Sequence, residues 1–97
     1  MYLDSGEKHS RLIERSNAIG IDFLRTDLVT ALTFIQVAET SNSPETSTRN
    51  FRKALEAYRA VLHFLPRLLP STAEFEEIRS KLEQVRLHLV QAGYSCK

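Results

Sequence analysis

Glycine and proline are scarce, three of each in 97 residues, and there is a single cysteine, Cys96. One thiol closes no internal disulfide, which excludes the stapled frameworks of small secreted domains. No apolar run approaches the ~20 residues of a membrane-spanning helix. The opening MYLDSGEKHSRLIER reads as too polar for a signal peptide. Neither sign of charge prevails: 13 Lys and Arg stand against 12 Asp and Glu, a formal +1. No whole-molecule field therefore draws the chain to nucleic acid or to an anionic membrane. The expected setting is cytoplasmic, or else nuclear. A chain of this length, burying roughly 60–65% of its unfolded surface, is expected to fold as one domain.

β-signals are missing as well. No Asn-Gly or Asp-Gly turn occurs, and no stretch alternates apolar with polar residues over strand length. What recurs is a spacing of three and four, which on an α-helix gathers residues into one stripe. Gly6, Gly20, Pro44, Pro66, Pro70 and Gly93 read as the places where elements begin or end.

Ile21, Leu24, Leu28, Ala31, Ile35 and Ala38 form the first stripe, and Phe23, Leu32 and Phe34 widen it. A helix over about 21–40, buried on more than one face, is the expectation. Ser43 suits an N-cap, Pro44 the first helical position and Glu45 the positive end of the helix dipole, so a second helix should run over about 44–65. Its opening PETSTRN is a poor helix former and is expected to fray or stay as loop. Phe51, Ala54, Tyr58, Val61 and Leu65 carry its stripe, flanked by Leu55 and Leu62, and Pro66 stops it.

Leu68 and Leu69 should pack on the end of the bundle. Ser71-Thr72-Ala73-Glu74 is a capping-box sequence opening a third helix over about 72–92. Its stripe is Phe75, Ile78, Leu82, Val85 and Leu89, with Val90 beside it and Gly93 as a left-handed stop. Connections this short force the helices up, down and up. The expected fold is thus all-α, an antiparallel bundle of three main helices over 21–93. Residues 94–97 read as a loose tail. Residues 1–20 read as a short amphipathic helix in HSRLIERSNAI, a backward extension of the first helix, or partial disorder.

Phe51, Ala54, Tyr58, Leu62 and Pro66, in FRKALEAYRAVLHFLP, stand at the spacings of the second helix of a tetratricopeptide (TPR) repeat, which this segment resembles. Val61 replaces the usual small residue. The preceding helix departs further, with Leu28, Ala31-Leu32 and Ile35 where the family has a Trp, a Leu-Gly pair and an aromatic. The tight inter-helix turn reads as replaced by about ten residues, TSNSPETSTR. In a three-helix setting the same segment also looks like the TPR-like bundle of microtubule-interacting and trafficking (MIT) domains. Both resemblances imply a non-catalytic module that binds peptides or helices in grooves between its own helices.

The residues that carry chemistry do not converge. His9, His63 and His88 are scattered, and no HExxH, CxxC, GxGxxG or P-loop pattern occurs. Cys96 has no base nearby in sequence. Glu74, Glu76 and Glu77 suit a helix N-terminus and a solvated face. No catalytic residue, metal site or cofactor is expected, and the chain does not read as an enzyme.

Two surfaces remain as candidates for binding. Between Arg49 and Arg67 the second helix carries Arg49, Arg52, Lys53, Arg59 and Arg67 against Glu56 alone. Arg52, Glu56, Arg59 and His63 share a face, on which an Arg52–Glu56 pair is the ordinary reading. The alternative reading of this face is a basic groove for an acidic peptide or a nucleic-acid backbone. The second candidate is apolar surplus: Phe23, Phe34, Phe64, Leu68, Leu69 and Leu87 lie off the narrow stripes and suit core edges or an interface. The leading expectation is a small interaction module that binds a helix or peptide, or associates with itself. A basic adaptor contacting nucleic acid is the alternative.

Overall fold

The computed structural model describes residues 5–96, with side chains from residue 12 onward. Three α-helices follow one another: α1 over Ser5–Thr40, α2 over Pro44–Phe64 and α3 over Thr72–Gln91, with a 3-10 turn over Leu65–Arg67. The described residues contain no strand. The chain is an all-α three-helix bundle. Contacts of Arg25 with Glu77 and of Glu39 with His88 advance in the same direction along α1 and α3. Those two helices are therefore parallel, and α2 runs back between their ends.

The stripes read from the sequence form the core. All six positions from Ile21 to Ala38 are buried, and they meet Ala54, Tyr58 and Val61 of α2 and Ile78, Leu82, Val85 and Leu89 of α3. Phe51 and Leu65 are half-buried against this cluster, as are Leu32 and Phe34. Phe75 departs from expectation: it lies in the first turn of α3, outside the core, with 41% of its surface exposed.

The first helix begins far earlier than its stripe. It is continuous from Ser5, so Gly6 and Gly20 fall inside a helix instead of bounding one. Its 36 residues span ~54 Å, against ~30 Å for each of the others. The first turns of α1 therefore project past the bundle, and the molecule measures 67 × 21 × 19 Å.

The connection between α1 and α2 is three residues, 41–43, in place of the ten expected. PETSTRN is helical because its ends are well satisfied. The Thr46 amide donates to Ser43 Oγ at 3.3 Å, the Ser47 hydroxyl donates to the Ala38 carbonyl at 2.7 Å, and Asn50 Nδ2 donates to the Thr46 carbonyl at 2.8 Å. Capping of this kind outweighs modest intrinsic propensity. Pro66 ends α2 as anticipated, and the chain tightens into the 3-10 turn.

At the start of α3 the capping box is complete. Ser71 Oγ accepts from the Glu74 amide at 3.1 Å, and Glu74 Oε1 accepts from the Ser71 amide at 2.8 Å. At its other end Gly93 adopts φ 95°, with Gly93 donating to the Val90 carbonyl and Tyr94 to that of Leu89. This paired closure turns the chain back onto the bundle. Tyr94 consequently meets Phe51, with ring centroids 5.7 Å apart, and Cys96 packs on the core. Tyr94 and Cys96 are thus core-edge residues, where the sequence suggested a loose tail.

Candidate functional site

The α2–α3 connection crosses α1 one turn before the core stripe begins. Asn17 fixes the crossing: its Nδ2 donates to the Leu69 carbonyl at 2.9 Å, and its Oδ1 accepts from the Leu69 amide at 2.6 Å. Leu68 is thereby pressed onto Gly20. A Cβ on Gly20 would lie 2.7 Å from Leu68 Cδ2, so glycine is what lets the connection sit this close.

A cleft of about 420 Å³ opens beside this contact, walled by Ser16, Ile19 and Phe23 of α1 and by Phe64, Arg67 and Leu68. On the other side of Leu68 a second depression is lined by Leu12, Ile13, Asn17 and Leu69 and shares Ser16 and Arg67 with the first. Leu12, Ile13, Ile19, Phe23, Phe64 and Leu69 are 60, 49, 64, 59, 44 and 78% exposed, so the two depressions form one apolar strip. Among the described residues that line it, the one cation is Arg67, whose guanidinium stands 5.8 Å from the Phe64 ring centroid.

Four of the six apolar residues singled out in the sequence come together here: Phe23, Phe64, Leu68 and Leu69. The other two do not. Phe34 packs on the core at the far end of α1, with Lys53 Nζ 5.5 Å from its ring centroid. Leu87 is half-exposed on α3 among Arg79, Ser80, Glu83 and Gln84. Leu12, Ile13, Ile19, Asn17 and Gly20 complete the strip and were not anticipated. The available signal was the 4, 3, 4 spacing of Leu12, Ser16, Ile19 and Phe23, a second stripe on α1 that points away from the first.

The basic residues of α2 are differently placed. Arg49, Arg52 and Lys53 line a shallow depression with Pro44, Glu45, Thr48 and Glu56, all from one helix, so no second wall makes it a groove. Among the described residues Arg52 and Glu56 form no ion pair. His63 sits farther along, its ring edge-on to Phe64 with centroids 4.8 Å apart. Arg67 belongs to the apolar cleft.

Ionisable groups are perturbed for structural reasons. Hydrogen bonds from Arg25 and then Lys81 hold the Glu77 carboxyl below its ordinary range, and Arg86 does the same for Glu83. Burial pushes up the Asp27 carboxyl, the Tyr58 phenol and the Cys96 thiol. None of these groups lines the apolar strip. Among the described residues no polar or charged side chain is buried, and no three His, Cys, Asp or Glu gather as metal ligands would. What the strip offers chemically is contact with apolar side chains, with Arg67 available to an acidic or aromatic neighbour.

No family model matches the chain, and neither the curated proteins nor the solved structures yield a match.

Proposed function

We propose that this chain is a small non-enzymatic interaction module that binds a helix, a peptide or another copy of itself through the strip between α1 and the α2–α3 connection. The observation that carries this reading is the set of six large apolar side chains, 44–78% exposed, that line two adjoining depressions on either side of Leu68. With a large apolar side chain taken as about 200 Å², they expose on the order of 700 Å². That exceeds the roughly 300–600 Å² of the largest patch on a typical monomer. A cytoplasmic module of TPR-like or MIT-like type goes with this reading, since Ala54 and Tyr58, which carry that resemblance, are buried against the neighbouring helices.

No described helix is long and apolar enough to cross a membrane. The basic face of α2 gives the alternative, nucleic-acid reading less support, because its cations are interleaved with Glu45 and Glu56 on a single convex helix.

The test is capture by the immobilised chain, offered host extract and a soluble copy of itself. Bound protein should persist at about 0.5 M salt, which screens exposed charges. It should be lost from Ile19→Asp/Phe64→Asp and kept by Arg52→Glu/Arg59→Glu. Capture that disappears with salt and with the arginine variant alone would contradict the reading.

A further inference from the structure

We propose that the strip is occupied by the α1 helix of a second copy of this chain, laid antiparallel across it, so that the module is a homodimer. This rests on the reading of the strip as an interface and names its occupant. Leu12, Ser16, Ile19 and Phe23 recur at the 4, 3, 4 spacing of a two-stranded coiled-coil seam, and the three apolar ones are 60, 64 and 59% exposed. Antiparallel pairing of two such seams sets Phe23 on the partner's Leu12 and Ile19 on the partner's Ser16, a large residue over a smaller one in each layer.

The positions flanking the seam then decide the orientation. In that register Arg15 lies opposite the partner's Asp22, and by the two-fold symmetry the pair occurs twice. A parallel, in-register pairing would instead set Asp22 beside the partner's Asp27, two carboxylates together. Charge complementarity thus favours the antiparallel arrangement.

The same register brings the partner's Ile13 to the face where Leu68 covers Gly20, so that apolar side chains of both copies meet beside the cleft. The seam and the apolar residues it meets are therefore carried on one surface, as a two-fold interface requires. The exposed apolar area, on the order of 700 Å², approaches the ~800 Å² that each partner buries in a standard interface.

Sedimentation equilibrium of the full chain, from about 1 to 200 µM, tests the proposal. A monomer–dimer equilibrium is expected. Ile19→Asp should give a monomer with unchanged helicity, since the side chain is 64% exposed. Arg15→Glu and Asp22→Lys should each weaken the dimer about tenfold or more. The double variant should return it to within roughly threefold of the original. A chain that stays monomeric throughout overturns the proposal. So does a dimer indifferent to Ile19→Asp, or a double variant no better than the singles. If the chain is monomeric yet still captures a foreign protein through Ile19 and Phe64, only the choice of occupant has failed. If it is monomeric and captures nothing, the interface reading fails with it.

Discussion

Asn17 and Leu69, 52 residues apart, are joined by two hydrogen bonds through one side-chain amide, which reads the Leu69 backbone as a neighbouring strand would. That clamp holds the α2–α3 connection against α1 and so sets one wall of the apolar cleft. Asn17→Ala should cost about 1–3 kcal/mol, at about 0.5–1.5 kcal/mol for each of the two bonds lost. In hydrogen exchange, the Leu69 amide should lose protection while the core amides of α2 keep theirs. Unchanged protection at Leu69 would show that the connection is held by Leu68 alone.

The division of α1 into a buried and an exposed stripe predicts a sharp contrast between neighbours. Leu28 is fully buried, and Leu28→Ala should destabilise by about 2–5 kcal/mol in chemical denaturation. Phe23 is 59% exposed, and Phe23→Ala, at a concentration where the chain is monomeric, should fall within about 0.5 kcal/mol of the original. Equal losses at the two positions would mean that the exposed stripe is covered within the monomer.

Gly93 closes α3 at φ 95°, and a Cβ there would meet no atom within 4 Å. Any loss in Gly93→Ala is therefore backbone strain and not a clash. A destabilisation of about 1 kcal/mol is expected. Release of Tyr94 from Phe51 should accompany it, read as a change in the near-ultraviolet circular dichroism.

Glu77 and Asp27 should pull the pH dependence of stability in opposite directions. Arg25 and Lys81 depress the Glu77 carboxyl below its ordinary 4.5. The unfolded chain therefore takes up that proton first, and the stabilisation, complete above 4.5, is lost as pH falls through the depressed value. Burial raises Asp27 above its ordinary 3.8, so the folded chain takes up that proton first. Its unfavourable contribution at neutral pH is relieved as pH falls through the raised value towards 3.8. Melting temperatures across the acid range should fall less steeply in Glu77→Gln than in the original. Asp27→Asn should melt higher near pH 7 and lose that advantage in acid.

The sequence exposes most of this architecture because the core is built from strict three-and-four spacing. Leu28, Tyr58 and Leu82 could be placed inside from their neighbours alone. Ser43, Ser71 and Gly93 were legible for a different reason: caps act within a few residues of chain. Gly20 was misread as a boundary because its role depends on Leu68, far along the sequence. The same distance hid Asn17. The start of α1 was ambiguous because its early apolar residues, Leu12, Ile13 and Ile19, are few, and Leu12 and Ile19 lie off the core stripe. Of the candidate site, Phe23, Phe64, Leu68 and Leu69 stood out as surplus apolar residues. That they converge, while Phe34 and Leu87 do not, depends on where the connection crosses α1.

The most direct test of the central claim is a photo-crosslinking residue placed at position 23, on the exposed stripe, and separately at position 52, on the basic face. The account predicts crosslinked protein from position 23, abolished by Ile19→Asp, and little from position 52. Crosslinking from position 52 alone, with position 23 silent, would contradict it.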